Sequence, residues 1–391
     1  MRRKKEKREG KPRLLIATDN FLPRWDGIAR FLSEIIPKLT DEYDVTVIAP
    51  KFGVYKPEGF RLVSVPLSKM GIGDYTSAKV KRGVVKKEVR EADIVFSQTI
   101  GPIGFLSVYY AKKLKVPVAS FVHSVEWELV PLATSNSLAK KFFFPFTKLF
   151  AKWIYNKSNL LVVPSETTGE TMSWNGIKTK KAVANLGVDC EVFKPYKDLN
   201  EKEQREVDRV REELGLKDCF VIGNHGRIAR EKDLMTLLRA YKWIHKKHED
   251  ARLLILGEGV PELKEKLKAV PGVILPGAKN NVNVYLNVMD VYVTSSLTET
   301  TSLTTLESMA SGLPVVCTPV GFIKDYVKDT VNGFLFPVRD AYSLSRTIEL
   351  LKNQPSLRKS IGANARKSVL KEFTWERTVE KIKELLRGLR S

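Results

Sequence analysis

Short apolar runs rich in β-branched residues alternate with longer amphipathic segments through most of this chain. In a parallel sheet with helices on both faces, the buried strands appear in the sequence as continuous apolar runs, and a helix separates each run from the next. A helix is predicted at residues 28–39, between the first two runs. The first series of runs therefore predicts a doubly wound α/β unit. Its predicted strands are residues 14–18, 45–49, 61–65, 94–97, 118–122 and 160–163.

A second series of apolar runs begins after an interruption. Residues 201–213 are almost wholly charged or polar, so we place a linker at residues 191–217. The expected domains are residues 11–195 and 215–372, and a closing helix at 375–391 is assigned to the first domain. Two such halves are expected to face each other across a cleft, where ligands of open α/β sheets bind. The strands predicted for the second half are residues 220–223, 253–256, 273–275, 291–294 and 314–317.

The chain of 391 residues carries 66 lysines and arginines against 45 acidic residues, a net charge of +21. This excess favours an anionic partner and leaves nucleic acid, nucleotide, phosphorylated substrate and acidic lipid open. The Lys- and Arg-rich start of the chain is predicted to be a solvated, mobile tail. Three separated cysteines, Cys190, Cys219 and Cys317, indicate neither a disulfide framework nor a cysteine metal site. Because no run of about 18 apolar residues occurs, no transmembrane segment is expected.

Residues 295–314, SSLTETTSLTTLESMASGLP, follow a predicted strand and contain the most informative motif. Ser302 or a neighbouring threonine is predicted to cap a helix with an apolar face. The loop before that helix then presents unpaired backbone N–H groups, which together with the helix dipole attract phosphate. Glu299 precedes the helix and Glu307 lies within it, and both carboxylates can accept hydrogen bonds from hydroxyls. This combination suits a sugar nucleotide, although Glu307 could equally be an exposed helix residue and Glu299 a first-turn partner of the helix dipole.

A second group of charges follows the strand predicted at 220–223, in the segment NHGRIAREKD. Arg227 and Lys232 come shortly after a glycine and could reach the same diphosphate, Arg with a planar fork of donors and Lys as a point charge. Taken singly, each could also be a surface charge, as most lysines and arginines are. Together with the preceding motif, the two cations favour a phosphate-binding function.

The segment GRIAREKD and the pair Glu299-x7-Glu307 in SLTETTSLTTLESMASGLPVV resemble the retaining glycosyltransferases of the GT4 type. That family has the GT-B fold, an α/β architecture of two Rossmann-like, doubly wound domains. The resemblance covers nearly the whole chain. Further matching segments are TDNFLPRWDGIAR with Gly27, GPIG at 101–104, SFVHSVEWE with His123, VPSE at 163–166, NLGVD at 185–189 and the terminal FTWE.

The resemblance implies how the leaving group of the donor is bound. Arg227 and Lys232 would neutralise its diphosphate, and Gly27 would let the backbone approach the phosphates. No Asp-x-Asp triplet occurs in the chain, so a metal-chelating donor site has no obvious ligands. We therefore expect neither a metal nor a cofactor, and a UDP- or GDP-linked sugar as the donor substrate.

The resemblance also implies how the sugar side of the donor is bound. Glu307 would hold the ribose hydroxyls and Glu299 the transferred sugar. His123 would lie against the donor sugar from the acceptor side; without the resemblance, a satisfied core histidine is the alternative. The family commonly has glycine where this chain has Ser302, so the pattern leaves the identity of the sugar undefined. Three loop residues are expected to line the donor site: Thr301, Ser302 and Leu303.

Residues 136–159 hold the densest mixture of aromatic residues and lysines in the chain. Five apolar residues fall on one helical stripe, which is predicted to pack in the core, with Lys148 and Lys152 on the opposite face. Residues 140–144 are predicted instead to contact an anionic membrane interface. The segment resembles GT4 enzymes that glycosylate diacylglycerol or related lipids. The stripe consists of Phe146, Leu149, Phe150, Trp153 and Ile154.

The residues and the resemblance together predict a retaining enzyme that moves a hexose from a nucleoside diphosphate sugar to a hydroxyl of a membrane lipid such as diacylglycerol. The protein is expected to be peripheral on the cytoplasmic face of the cell membrane and to have no nucleic-acid partner. Two alternatives remain open. One is the same chemistry on a soluble sugar or glycan, and the other is a basic nucleic-acid-binding protein without enzymatic activity.

Overall fold

The computed structural model describes residues 10–24, 26–72, 75–128 and 137–390. Residues 1–9, which form most of the predicted basic tail, lie outside this part of the chain. The described residues form two compact units. The first unit runs up to Ala184 and resumes at Thr378, and the second unit comprises Asn185–Arg377. Each unit is built around its own parallel sheet, as predicted for two doubly wound α/β halves.

The first unit contains a seven-stranded sheet in which all neighbouring strands are parallel. The strands of this unit, including two outside the seven-stranded sheet, are β1 (Arg13–Ala17), β2 (Asp44–Pro50), β3 (Arg61–Val65), β4 (Leu67–Ile72), β5 (Tyr75–Ala78), β6 (Ile94–Ser97), β7 (Val118–Phe121), β8 (Leu160–Val163) and β9 (Lys181–Val183). The order in the sheet is β3-β2-β1-β6-β7-β8-β9, and β4 pairs with β5 in an antiparallel ribbon. All six strands predicted for this half are confirmed. Strands β4, β5 and β9 were not predicted because they lack a continuous apolar run.

Helices cover both faces of this sheet. On one face, Leu15 packs in a core cluster with Val85 and Val108. On the other face, the ring centroids of Phe31 and Phe121 lie 4.7 Å apart. Burial on both faces explains why the strands appear as continuous apolar runs. The helices are α1 (Gly27–Leu39), α2 (Arg82–Glu91), α3 (Pro102–Leu114), α4 (Ser137–Tyr155) and α5 (Glu166–Trp174).

The second unit has a six-stranded parallel sheet. Its strands are β10 (Phe220–His225), β11 (Ala251–Leu256), β12 (Val273–Gly277), β13 (Val291–Thr294), β14 (Val315–Cys317) and β15 (Phe334–Leu335), in the order β12-β11-β10-β13-β14-β15. Neighbouring residues of one strand belong to different core clusters, Val221 to one and Ile222 to the other, so both faces are buried. The five strands predicted for this half are confirmed.

The helices of the second unit follow the same alternation with strands. They are α6 (Glu201–Glu213), α7 (Leu234–Lys247), α8 (Pro261–Lys268), α9 (Val282–Leu286), α10 (Leu303–Ala310), α11 (Ile323–Tyr326), α12 (Ala341–Asn353) and α13 (Pro355–Glu372). Helix α10 is the helix predicted from the motif at 295–314. Its position after β13 places its first turn at the carboxyl edge of the sheet.

The charged segment at residues 201–213 is helix α6 of the second unit and not a linker. A capping box closes its first turn. Its apolar residues Val207 and Val210, three positions apart, are buried in the core of this unit. The linker predicted at 191–217 is therefore wrong, because a helix needs only one narrow apolar stripe to pack on a core.

The last helix, α14 (Trp375–Gly388), has the apolar stripe that the sequence predicts for a closing helix. Its residues Ile382 and Leu386 are buried, and from Thr378 onward it belongs to the first unit. Glu42, shortly after α1, accepts two hydrogen bonds from the Arg387 guanidinium at 2.9 and 2.6 Å. Nζ of Lys383 lies 3.4 Å from the same carboxylate. These charges tie the end of the chain to the first unit.

We expect Glu42→Gln to lower the free energy of unfolding by about 1 kcal/mol near neutral pH, the usual scale of a partly exposed bidentate pair. Hydrogen bonds from Arg387, with the charges of Arg387 and Lys383, lower the pKa of Glu42 below its ordinary value. Such a carboxyl stabilises the fold above its unfolded pKa, and this contribution is lost as the pH falls through the folded pKa.

Urea unfolding of wild type and variant near neutral pH and near pH 3 checks this expectation. The difference should shrink in acid. Glu384→Gln is the control, because Glu384 is exposed and pairs with Lys381, three residues earlier on the same helix, and its loss should have little effect. A cost of Glu42→Gln that is equal at both pH values would contradict the assignment.

Candidate active site

The carboxyl edge of the second sheet carries both charged motifs. Strand β10 ends at His225 and is followed by the loop that holds Arg227 and Lys232. Strand β13 ends at Thr294 and is followed by the loop that leads to α10. Because β10 and β13 are parallel neighbours, the two loops leave the sheet side by side.

Lys232 and Glu299 form an ion pair between these two loops. Nζ of Lys232 lies 2.6 Å from Oε1 of Glu299, and the Ser296 hydroxyl donates to the same oxygen at 2.8 Å. Both charged side chains are mostly buried. The structure thus brings together the residue that the resemblance assigns to the diphosphate and the residue that it assigns to the transferred sugar.

Hydrogen bonds between the two loops hold this ion pair in place. The Ser295 hydroxyl donates to the backbone carbonyls of Lys232 and Asp233, each at 3.0 Å. The amide N–H of Leu297 donates to the carbonyl of Glu231 at 2.7 Å. The charged side chains therefore start from backbone that is already fixed, which is the condition for electrostatic preorganisation.

Arg227 lies on the same loop as Lys232 but nearer to the solvent. It is half exposed and forms an ion pair with Glu231. The preceding Gly226 contacts the loop after β11, where a Cβ on Gly257 would lie 1.8 Å from the Gly226 carbonyl oxygen. Position 257 must therefore remain glycine for the two loops to pack so closely. The structure places both predicted cations on one rigid loop, each paired with a different carboxylate.

The start of α10 has no side-chain cap. Ser302 occupies the N-cap position with φ +60°, a left-handed conformation that favours glycine, and its side chain makes no capping hydrogen bond. Its hydroxyl instead bonds the hydroxyl of Thr305 at 2.9 Å. The predicted capping by Ser302 is therefore wrong in its chemistry, although its position is right. In the described part of the chain, no acceptor bonds the amide N–H groups of Leu303 and Thr304, so this helix start can receive an anion.

Glu307 is buried in the second turn of α10, with a side chain only 1% exposed. Its Oε2 lies 3.4 Å from Nε2 of His225, the last residue of β10. The same Nε2 is 3.2 Å from the carbonyl oxygen of Thr304. The sequence analysis missed His225. The available signal was its position at the carboxyl end of a buried strand, two residues before Arg227.

His123 belongs to the first unit and follows β7. Its Nε2 lies 2.9 Å from Oε1 of Gln98, and its ring stacks on Phe121 with centroids 4.4 Å apart. Burial lowers the pKa of His123 to about 3, so the imidazole is neutral at physiological pH. Its role against the donor sugar remains a prediction.

Glu126, three residues after His123, was not singled out from the sequence. The Tyr155 hydroxyl donates to its carboxylate at 2.5 Å. Burial raises the pKa of Glu126 to about 7, against the lowering effect of that hydrogen bond. A carboxyl that titrates near neutral pH therefore lies three positions from the predicted acceptor-side histidine.

Gly27 is the first residue of α1, and Asp26 caps that helix by accepting from the amides of Ile28 and Ala29 at 2.9 Å each. A Cβ on Gly27 would meet no atom within 4 Å. The position is therefore open, as a backbone approach to phosphate requires, but among the described residues of the first unit no contact makes glycine obligatory there. The assigned role of Gly27 stays a prediction.

The GPIG segment is explained by a buried carboxylate at the edge of the first sheet. Asp19 accepts hydrogen bonds from the amides of Ile103 and Gly104 at 2.9 and 3.1 Å, at the start of α3. A Cβ on Gly104 would lie 1.8 Å from the carbonyl oxygen of Thr99. This glycine is therefore required by close backbone packing.

Helix α4 differs from its prediction. Phe146, Leu149 and Trp153 are 60%, 68% and 44% exposed, so their predicted packing in the core is wrong. Within the predicted stripe, Ile154 is buried and Phe150 is half-buried. The buried face also includes Thr147, Ala151 and Tyr155, each one position after a residue of the predicted stripe. The apolar residues of this helix cover a wider arc than one face can bury. Of the membrane contact predicted at 140–144, the side chains of 140–143 lie outside the described residues, and Phe144 is exposed.

Two family models match the chain. Glycosyltransferase Family 4 matches residues 25–192, and Glycosyl transferases group 1 matches residues 206–368. The chain belongs to the GT4-type glycosyltransferases. The resemblance read from the motifs is therefore confirmed, and so is the activity class. Within the described residues of this glycosyltransferase, no helix has the length and apolarity needed to cross a bilayer.

This glycosyltransferase is 23% identical to alpha-monoglucosyldiacylglycerol synthase of Streptococcus pneumoniae, over 83% of this chain and 75% of the relative. It is 22% identical to the GDP-mannose-dependent alpha-(1-6)-phosphatidylinositol monomannoside mannosyltransferase of Mycolicibacterium smegmatis, over 96% of this chain and 99% of the relative. A crystal structure of HepE from Anabaena, in complex with UDP and glucose, is similar with a TM-score of 0.76 and 17% identity, over 96% of this chain and 100% of HepE. That similarity confirms the GT-B fold class.

Proposed function

We propose that this glycosyltransferase moves a hexose, with retention of configuration, from a UDP-linked donor to a hydroxyl of a membrane lipid of the diacylglycerol class. The observation that carries the proposal is the meeting of Lys232, Glu299 and the uncapped start of α10 at one sheet edge. HepE, which shares the fold, binds UDP and glucose. The relative from Streptococcus pneumoniae is a diacylglycerol glucolipid synthase by name.

Donor binding exchanges the partners of the Lys232–Glu299 ion pair. The ammonium of Lys232 turns to the diphosphate, which carries more negative charge than one carboxylate. The carboxylate of Glu299 then accepts hydrogen bonds from hydroxyls of the sugar. A nucleoside diphosphate without a sugar would satisfy Lys232 but leave Glu299 beside a bound anion. We therefore expect the sugar nucleotide to bind more tightly than the nucleotide alone.

The same groups stabilise the leaving group. When the bond from the sugar carbon to the phosphate oxygen breaks, negative charge grows on the diphosphate. Lys232, Arg227 and the amide N–H groups of Leu303 and Thr304 lie along one sheet edge to receive that charge. Because the loops are already tied together, little reorganisation is needed as the charge develops.

The acceptor side of the proposal is supported by an exposed aromatic surface on α3 and α4. Phe105 of α3 stacks on Trp153 of α4 with ring centroids 5.8 Å apart, which joins the two helices. Large apolar side chains project from this junction into solvent, although burying them would be favourable. We define the aromatic surface by its exposed members: Tyr109, Phe144, Phe146, Leu149 and Trp153.

The charge of these two helices favours an anionic membrane as the occupant. Neither α3 nor α4 contains an aspartate or glutamate, and both carry exposed lysines. Nζ of Lys157 lies 4.2 Å from the centroid of the Trp153 ring, and Nζ of Lys148 lies 6.0 Å from that of Phe144. Aromatic side chains flanked by lysines suit the boundary between acyl chains and acidic headgroups.

A thermal-shift series tests the donor assignment. We expect UDP-glucose at about a hundredfold excess over its Kd to raise the Tm by roughly 5 °C, because a ligand that binds only the folded state stabilises it. GDP- and ADP-sugars and a mixed-sequence oligonucleotide should shift it much less. A shift with the GDP-sugar alone would overturn the UDP assignment, and a shift with the oligonucleotide alone would favour nucleic-acid binding instead.

A turnover assay then tests the acceptor. The sugar nucleotide that gives the largest thermal shift is supplied with diacylglycerol in vesicles that contain either about 30% or no anionic phospholipid. Soluble oligosaccharides are tested as acceptors in parallel. We expect transfer to the lipid, faster on the anionic vesicles because lysines near the aromatic surface attract them. Transfer to the soluble glycan with indifference to vesicles would show that the acceptor is not a lipid.

A further inference from the structure

A buried histidine links the strand β10 to the first two turns of α10. The side chain of His225 is 6% exposed, and its Nε2 lies 3.2 Å from the carbonyl oxygen of Thr304 and 3.4 Å from Oε2 of Glu307. The Tyr292 hydroxyl donates to the backbone carbonyl of His225 at 3.3 Å, and the two rings lie 5.4 Å apart. The histidine is therefore held at both its backbone and its ring.

The contact with Thr304 fixes which nitrogen carries the hydrogen. A backbone carbonyl can only accept, so Nε2 of His225 must be the protonated nitrogen when this hydrogen bond forms. That N–H bonds the Thr304 carbonyl, and Oε2 of Glu307 lies 3.4 Å from the same nitrogen. The ring nitrogen that anchors the helix backbone therefore also lies within ion-pair distance of the buried carboxylate.

We propose that His225 is a positioning residue of the donor site, whose Nε2–H holds Glu307 in the orientation that accepts the ribose hydroxyls of the nucleotide. The inference rests on the proposed function, together with the assignment of Glu307 to the ribose that the family resemblance implies. In this proposal His225 makes no contact of its own with the diphosphate or the sugar. It acts through Glu307 and through the first turn of α10.

The physical reason is the cost of a misplaced buried carboxylate. Glu307 has little solvent to orient it, so its rotamer is set by the polar groups around it. A carboxylate that accepts two hydroxyls needs a defined direction, since hydrogen bonds weaken steeply with misalignment. Without the donor of His225, the carboxylate can turn away from the ribose.

The test compares ribonucleotides with 2′-deoxyribonucleotides. Calorimetric Kd values of UDP and 2′-deoxy-UDP are measured for wild type, His225→Leu and His225→Gln, with the GDP pair used instead if GDP binds more tightly. Glutamine can place an amide N–H near the position of Nε2, whereas leucine cannot donate. The Tm of each variant controls for folding.

We expect wild type to prefer the ribonucleotide by roughly tenfold or more, the scale of a hydrogen bond to a charged group. His225→Leu should reduce that preference to about twofold or less, chiefly by weakening the binding of the ribonucleotide, and His225→Gln should restore part of it. Full preference in the leucine variant would overturn the positioning role alone. Failure of wild type to bind either nucleotide pair would overturn the proposed function instead.

Discussion

Lys232→Ala is expected to lower kcat/KM for sugar transfer by about 100-fold to 1000-fold, the effect of removing one preorganised group that stabilises developing charge. Lys232 is the more buried of the two predicted cations, and its ion-pair partner Glu299 lies in the same site. Its loss removes the counter-charge of the diphosphate and leaves an acidic side chain close to the leaving group. Turnover with saturating acceptor and varied donor measures the effect.

The fold should survive this substitution. Glu299 keeps the hydrogen bond from the Ser296 hydroxyl, and the loop keeps its bonds to Ser295. Lys266→Ala is the matched control, since it removes an exposed lysine of the same unit that pairs with Glu262 on its own helix. The control should retain wild-type turnover. Near-normal kcat/KM in Lys232→Ala, with the Tm unchanged, would refute the assignment of the cation.

The second large effect is expected at the aromatic surface. The triple change of Phe146, Leu149 and Trp153 to serine should weaken binding to anionic vesicles by at least about 100-fold, because each apolar side chain contributes on the order of 1.5 kcal/mol when it enters the interface. All three side chains are exposed, so we expect the fold to survive, and the Tm of the variant controls for the lost stacking of Trp153 on Phe105. Sedimentation with vesicles measures the partition coefficient.

The first unit offers a control for this experiment. Trp174 at the end of α5 is 83% exposed but is not part of the aromatic surface. Trp174→Ser should bind vesicles as wild type does, and turnover of the triple variant on a soluble, short-chain acceptor should be preserved. A triple variant that binds vesicles normally would show that this surface does not meet the membrane.

The sheets were predictable because burial on both faces leaves a strong signal. A strand such as β11, ARLLIL, must be apolar at nearly every position when helices cover both sides. The short β15 leaves no such run. Helix α6 was not predicted because most of its residues are charged. Two buried valines are enough to pack it on the core, and its other residues are at least partly exposed to the solvent.

The charged residues of the site were predictable for a different reason. Parallel strands place their following loops at one edge, so charges after β10 and β13 had to come near each other. The pairing of Lys232 with Glu299 could not be predicted, because it depends on rotamers and loop conformation. The role of His225 was hidden for the same reason, since its contacts lie about 80 residues away in the chain.

The face of α4 was the least predictable feature. Its apolar residues occupy more than half of the helix circumference, and periodicity alone cannot decide which of them face the core. Thr147 turned out to be buried while Leu149 is exposed. Three residues that the periodicity assigned to the core, Phe146, Leu149 and Trp153, instead form part of the surface that we propose as the membrane contact.

A crystal structure of the protein with bound UDP-glucose tests the central claim most directly. We predict the diphosphate within hydrogen-bond distance of Lys232 Nζ and of the amide groups that begin α10, with the distance from Lys232 to Glu299 increased beyond its present 2.6 Å. A diphosphate bound elsewhere, with the Lys232–Glu299 ion pair intact, would contradict the account.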